Sequence, residues 1–131
     1  MTRYVITADV ANRLAGDQAV IADRHQLLAP TLLRSQLLSL LYHQVQRGEL
    51  SRKEAAMRLD YVRGMRIRLL GDRVLQNVAW KIAERIGWSD TLDAEYVALT
   101  QLQADALVTL DQGLADAVQG VVTVARVEEL S

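Results

Sequence analysis

Short apolar runs alternate with longer amphipathic runs along the chain. The apolar runs are rich in Val, Ile, Leu and Ala, which favours short buried strands. They lie at 3–8, 26–30, 65–70, 106–110 and 121–124. Strands that alternate with helices imply parallel pairing and right-handed crossovers, so the pattern predicts an α/β protein built on a parallel sheet of four to five short strands.

The amphipathic runs predict six helices, several with clear start and stop signals. Pro30 suits the first turn of one helix, and Ser51 with Glu54 forms a capping box at the start of the next. Gly87 is placed to end a later helix. Five of the predicted helices cover 9–16, 30–48, 51–64, 73–87 and 112–118. The sixth follows Ser89 and Asp90, which can cap it, and carries Leu92, Tyr96, Leu99 and Leu102 on its apolar side.

Length and composition narrow the class of protein. The 131 residues fit one domain, 1–131, and the absence of Cys excludes disulfides and thiolate zinc sites. His25 and His43 stand apart in the sequence and are interpreted as surface residues rather than ligands. The polar N-terminus and the lack of a long apolar run predict a cytoplasmic protein without a membrane segment.

The charges are unevenly distributed although the formal net charge is only −1. Residues 34–73 carry nine Arg or Lys against four acids, whereas residues 90–129 carry eight acids against one Arg. Acids that bind cations beside bases that hold a polyanion would suit an enzyme acting on a phosphodiester. The alternative is that the basic residues only solvate two helices.

Acidic residues follow two of the predicted strands and begin a helix. Asp111 comes directly after the strand at 106–110, and Asp9 lies just after the first strand. Asp90 and Asp93 are three residues apart near a helix N-terminus. Strand ends of an open parallel sheet meet at one edge, so these carboxylates are expected to crowd together, which favours a bound cation. Asp90 is better explained as a helix cap.

Four segments in their order along the chain resemble the PIN domain, and the size resembles the VapC-type toxins of bacterial toxin–antitoxin pairs. The segments are YVITADVA, LLAPTLLRSQLLSLL, TLDAEYVALTQLQADALVTLD and GVVTV. The resemblance implies a three-layer α/β/α sandwich around the parallel sheet. It also implies Mg²⁺- or Mn²⁺-dependent cleavage of RNA, a partner antitoxin and a homodimer.

The chain departs from this family at two of its four acidic positions. Asp93 and Asp111 match the family, but the first family Asp falls on Thr7 and the family Glu falls on Gln36. Asp9 could supply a shifted carboxylate. The expected site therefore has Asp9, Asp93 and Asp111 as catalytic and metal-binding residues, with Thr7, Gln36 and Asp90 in the pocket wall. It should hold one ion weakly, or none.

Three hypotheses for function remain open. The first is a VapC-like endoribonuclease with a weakened or rebuilt site. The second is a degenerate PIN domain that binds RNA or an antitoxin-like partner without cutting, and the third is an α/β scaffold without a metal site. The basic residues expected to bind RNA are Arg52, Lys53, Arg58 and Arg63. The apolar groove expected to receive an antitoxin contains Leu41, Tyr42, Val45, Met57 and Tyr61, and the expected dimer anchors are Trp80 and Trp88.

Overall fold

A computed structural model describes residues 1–131 and contains one five-stranded parallel sheet. The strands are β1 (Thr2–Ile6), β2 (His25–Pro30), β3 (Arg68–Leu70), β4 (Ala106–Val108) and β5 (Val124–Ala125). The helices are α1 (Ala8–Gly16), α2 (Leu33–Gln46), α3 (Arg52–Gly64), α4 (Arg73–Ile86), α5 (Leu92–Gln103) and α6 (Gln112–Ala117), followed by a 3₁₀ turn at Val127–Leu130. None of these helices has both the length and the apolar character needed to cross a membrane.

The sheet has the order β3-β2-β1-β4-β5, with every neighbouring pair parallel. Helices α1, α2 and α3 contact one another, whereas α5 packs on α4 and on the central strands. Right-handed crossovers place these two groups on opposite faces of the sheet. The predicted α/β/α sandwich around a parallel sheet is confirmed.

The main core lies between the central strands and α5. Val5, Ile6, Leu107 and Val108 are fully buried on β1 and β4, as expected for parallel strands that are covered on both faces. Helix α5 is buried around most of its circumference from Ala94 to Thr100. A smaller cluster of Leu37, Leu41 and Ala55 joins α2 to α3.

Local capping signals specify several helix ends as predicted. The Ser51 hydroxyl accepts a hydrogen bond from the Glu54 N–H at 3.0 Å, and the Glu54 carboxylate accepts one from the Ser51 N–H at 3.0 Å. Asp72 caps α4 through the Leu75 N–H. Gly87 ends α4 with a left-handed φ of 87°, a conformation that glycine adopts without a steric penalty.

The structure corrects three predicted elements. Pro30 is the last residue of β2, where it pairs with Leu70, and α2 begins only at Leu33. The last strand is limited to Val124–Ala125, because only these residues reach the β4 ladder. Leu92 and Leu102 are exposed at the two ends of α5, which project beyond the sheet.

The expected groove across Tyr42 and Met57 does not form as predicted. Leu41 is fully buried against Ala55 in the small α2–α3 cluster, so it is not available to a partner. The Tyr61 hydroxyl donates to the Ala19 carbonyl. Tyr42 and Met57 are exposed. The predicted face was wrong in part, because Leu41 and Val45 pack between the helices whereas Tyr42 and Met57 face outward.

The two tryptophans differ in exposure. Trp80 is 64% exposed on α4, whereas Trp88 is partly buried against the main core. Only Trp80 therefore remains a candidate interface anchor.

Candidate functional site

The direction of chain connection reverses between β1 and β4. From β1 the chain moves toward β2 and β3, and from β4 it moves the other way to β5. In open α/β sheets, ligands bind in the crevice at the carboxyl ends of strands at such a switch point. Thr7 directly follows β1, and Asp111 lies three residues after β4 ends.

A cleft of about 320 Å³ opens at this point. It collects side chains from the ends of β1 and β4 and from α1, α2, α5 and α6. The lining residues are Thr7, Ala8, Asp9, Gln36, Ser39, Leu40, His43, Asp93, Tyr96, Thr109, Asp111 and Leu114. Asp93 and Asp111 share this cleft with Thr7, Gln36 and Asp9, so the predicted geometry is confirmed.

Asp93 lies in the first turn of α5 with its carboxyl group in the cleft. Partial burial raises the pKa of Asp93, and the negative charges of Asp111, Asp90 and Asp9 raise it further. The carboxylates therefore repel one another across a shared space. A cation placed among them would relieve this repulsion.

Asp9 lies in the first turn of α1, where its negative charge faces the positive end of the helix. One carboxylate oxygen accepts hydrogen bonds from the Val10 N–H at 2.8 Å and from the Thr7 hydroxyl. These contacts use Oδ1 and leave Oδ2 without a partner in the chain. Thr7 itself is buried, and its hydroxyl lies within hydrogen-bond reach of the Val108 carbonyl, at 3.4 Å, as well as of Asp9.

Asp111 is the N-cap of α6. Its Oδ1 accepts a hydrogen bond from the Leu114 N–H at 3.1 Å, and its own N–H donates to the Thr109 hydroxyl at 3.1 Å. The cap fixes the side chain at the mouth of the cleft. As with Asp9, Oδ2 has no partner in the chain.

Gln36 and Tyr96 join α2 to α5 at the cleft wall. The Tyr96 hydroxyl donates to Gln36 Oε1 at 2.6 Å. Burial raises the pKa of Tyr96, and the nearby Asp93, Asp9 and Glu95 carboxylates add to this effect, so the hydroxyl keeps its proton. Gln36 thus accepts through its oxygen and retains amide N–H donors for the cleft. The expectation that Gln36 points to the cleft is confirmed.

Ser39 and His43 also line the cleft, although sequence reasoning did not select them. His43 is exposed, as predicted, yet it lies on the cleft face of α2. With Gln36 they form one helical stripe at i, i+3 and i+7. That spacing was a signal available in the sequence once Gln36 had been placed in the site.

Asp90 lies outside the cleft lining, which corrects its assignment to the pocket wall. Its Oδ1 accepts a hydrogen bond from the Leu92 N–H at 3.0 Å just before α5. This local bond holds the carboxylate outside the cleft, and Asp90 acts on Asp93 only through its charge.

None of the four basic residues expected to bind RNA lines the cleft. Arg58 donates to Asn12 Oδ1 at 2.9 Å, which ties α3 to α1. Arg63 pairs with Asp60 on the surface of α3. Arg52 and Lys53 are exposed at the start of the same helix. These four basic residues of α3 therefore lie outside the acidic cleft.

The residues of the cleft fit a weakly held divalent cation. Carboxylate oxygens are the ligands that Mg²⁺ prefers, and Asp9, Asp93 and Asp111 each have an oxygen without a partner in the chain. These acids do not form a compact set of three ligands around one point. An ion bound through one or two of them would keep several of its waters.

Comparisons with known proteins support the fold. No family model matches the chain, and no curated protein matches it. The crystal structure of PAE2754 from Pyrobaculum aerophilum is similar, with a TM-score of 0.79 and 23% sequence identity. The match covers 98% of this chain and 92% of that chain. At this identity the similarity is evidence for the α/β fold alone.

Proposed function

We propose that the cleft binds one Mg²⁺ or Mn²⁺ ion and that the chain is a cytoplasmic, VapC-like PIN-domain endoribonuclease with a weakened acidic site. The observation that carries this proposal is the convergence of Asp9, Asp93 and Asp111 on one cleft at the switch point of the sheet. The raised pKa of Asp93 supports it, because crowded carboxylates favour cation binding.

Each acid would have a distinct part in holding the ion and the substrate. A bound divalent cation activates water and offsets charge on a phosphate. Asp93 would provide a carboxylate that accepts no hydrogen bond within the chain and has a raised pKa. Asp9 and Asp111 are held by helix N-termini, so they offer one fixed oxygen each. Thr7 and Gln36 are neutral and orient their neighbours without adding charge.

A second candidate function is binding of RNA or a protein partner without cleavage. The specific observation in its favour is that Thr7 and Gln36 are already engaged, with Asp9 and Tyr96 respectively, within the cleft wall. Hydrogen bonds of Thr7 and Gln36 to other residues of the wall favour a site in which these two positions no longer bind a metal.

A metal titration followed by a nuclease assay tests the proposal. Mn²⁺ should raise the melting temperature of the purified protein, and RNA should be cut only when Mn²⁺ or Mg²⁺ is present. Asp93→Asn should abolish both effects, since it removes a central carboxylate. Asp17→Asn is the matched control, because Asp17 is an exposed acid at the end of α1, outside the cleft.

The outcomes separate the two candidates. Loss of cleavage in both Asp93→Asn and Asp9→Asn would support the rebuilt nuclease site. Metal stabilisation of the wild type without any cleavage would favour the non-catalytic alternative. If neither metal nor RNA binds, the nuclease and the RNA-binding alternative are both wrong, and a protein-binding domain or an α/β scaffold without a metal site is left.

We also propose that a segment of an antitoxin binds this chain, in a groove other than the one predicted across Tyr42 and Met57. An apolar groove lies between α2, α3 and the edge strand β3, with Arg34 and Arg63 on its border. Its apolar lining consists of Leu33, Leu37, Leu38, Leu59, Val62, Ile67 and Leu69. An antitoxin segment with apolar anchors and flanking acids would complement this surface. The proposed homodimer uses Trp80 on α4.

A further inference from the structure

Helix α2 contributes a polar wall to the cleft that is separate from the acids. Gln36, Ser39 and His43 line the cleft, whereas the carboxylates come from α1, α5 and the loop before α6. The core-facing row of the same helix is Leu33, Leu37 and Leu41. The two rows divide α2 into a packing face and a cleft face.

The polar side chains of this row make few hydrogen bonds within the fold. The Ser39 and His43 side chains are exposed and donate no hydrogen bond to another protein group. The Gln36 oxygen is occupied by Tyr96, but its amide N–H groups are not. Hydrogen-bond donors of α2 thus border a cleft whose other polar side chains are three carboxylates and three hydroxyls.

We infer that Gln36, Ser39 and His43 form a substrate-binding row that donates hydrogen bonds to the phosphodiester backbone of a single-stranded RNA. This inference rests on the proposed function and names a subsite beside the acids. The row covers seven helical steps from Gln36 to His43, or about 10 Å at 1.5 Å per step. It therefore contacts more of the strand than the reacting phosphate.

Neutral donors suit this position better than Arg or Lys. A guanidinium or ammonium here would pair with Asp93 or Asp111 and compete with the cation. No Arg or Lys lines the cleft, although residues 34–73 carry nine of them. The Ser39 hydroxyl and the Gln36 amide can donate to phosphate oxygens close to the acids without neutralising them.

The size of the cleft selects a single strand. Its volume of about 320 Å³ is near the lower end of ligand pockets, which run from roughly 300 to 1,000 Å³. Leu40 lies within the row and offers an apolar surface to a ribose or base. A nucleotide splayed out of a strand fits such a cleft, and a double helix does not.

Fluorescence anisotropy with a short, labelled, single-stranded RNA tests the row. The titration is done with Ca²⁺ in mildly alkaline buffer, and gels check that the RNA stays intact. Ser39→Ala and His43→Ala should each weaken binding about three- to ten-fold, the effect of losing one neutral hydrogen bond. The dependence of affinity on salt should not change for Ser39→Ala, because a neutral donor releases no counterions.

Ser35→Ala is the matched control, since Ser35 is exposed on α2 but does not line the cleft. It should bind RNA like the wild type, and all three variants should keep the stabilisation by Ca²⁺. If Ser39→Ala and His43→Ala bind RNA as tightly as Ser35→Ala, the proposed row is wrong, but the metal site is not refuted. Equal affinity for a duplex of the same sequence would overturn the single-strand selectivity. A wild type that binds neither Ca²⁺ nor RNA refutes the proposed function, and the row with it.

Discussion

Asp93 occupies a position that is unfavourable for the folded chain without a ligand. Burial first, and then the charges of Asp111, Asp90 and Asp9, raise the pKa of Asp93. A raised folded-state pKa means that the carboxylate form is more stable in the unfolded chain. Stability from this group is fully present below the ordinary pKa of Asp and is lost as the pH rises through the raised value.

Asp93→Asn should therefore stabilise the metal-free protein at neutral pH. We expect the melting temperature in EDTA to rise by a few degrees, since the cleft is open to solvent and screening limits the effect. The rise should disappear in acid below the ordinary pKa of Asp, where the wild-type carboxyl is protonated in both states. Thermal melts across that pH range check this, with Asp17→Asn as the control. A lower melting temperature for Asp93→Asn at neutral pH in EDTA would contradict it.

Gln36 is the neutral residue whose replacement should most strengthen cation binding. A Glu at this position can still accept the Tyr96 hydroxyl and would add a negative charge beside Asp93. We expect Gln36→Glu to tighten Mn²⁺ binding by roughly ten-fold or more, as ligand charge controls affinity. Isothermal titration measures it, and unchanged affinity would argue against a disabled metal site.

Thr7 is a less suitable place to restore charge. It is buried and its hydroxyl donates to Asp9, so Thr7→Asp would replace a donor with a repelling carboxylate. Thr7→Asp combined with Gln36→Glu should tighten metal binding further but lower the melting temperature in EDTA below that of Gln36→Glu alone. Parallel titrations and melts of the single and double variants test both expectations.

At the scale of helices and strands, the ends set by local hydrogen bonds are the best understood. The capping box of α3 satisfies one backbone N–H at Ser51 and one at Glu54. Ser51→Ala should lower the free energy of unfolding by about 1 kcal/mol, whereas Ser51→Gly should lower it by only a few tenths of that. Urea denaturation with far-ultraviolet circular dichroism gives both values. A loss near zero for Ser51→Ala would show that the cap contributes little.

Elements that end at local hydrogen bonds were the ones that could be predicted from the sequence. Ser51, Asp72 and Gly87 act within one helical turn, so their roles were visible in the sequence. Pro30 was misassigned because its place in β2 depends on pairing with Leu70, forty positions along the chain. The last strand was overextended for the same reason, since the β4 ladder determines where β5 begins and ends.

The residues of the candidate site also divide into those predictable from local sequence and those fixed by contacts distant in sequence. Asp9 and Asp111 could be placed together from the sequence because strand ends of a parallel sheet converge on one edge, whereas Asp93, at the start of a helix, was added by the family resemblance. The position of Arg58 could not be predicted, since its partner Asn12 lies on another helix and orients the guanidinium away from the cleft. Ser39 and His43 required knowing which face of α2 borders the cleft. Contacts distant in sequence decided each of these positions.

At the scale of the whole molecule, acidic and apolar surfaces are separated. The acids gather at the carboxyl edge of the sheet, and the apolar groove with Arg34 and Arg63 lies beside β3. Leu38 is 57% exposed in that groove, so Leu38→Asp should leave the melting temperature nearly unchanged. It should weaken binding of a synthetic amphipathic peptide with Leu anchors and flanking Glu by about ten-fold or more, measured by anisotropy. Leu102→Asp on α5 is the control, and equal binding by both variants would reject the groove.

Trp80 allows the proposed homodimer to be tested separately from the cleft and the groove. It is 64% exposed on α4, whereas Trp88 packs against the core. Buried aromatic anchors in interfaces contribute about 2 kcal/mol or more, so Trp80→Ala should weaken dimerisation by roughly thirty-fold or more. Trp88→Ala should mainly lower the melting temperature, because it removes core packing.

Tyr42→Ala, which changes a 61% exposed aromatic residue on α2, is the control for loss of an exposed ring. Sedimentation velocity over a range of concentrations distinguishes these effects, and a wild type that stays monomeric throughout would refute the dimer.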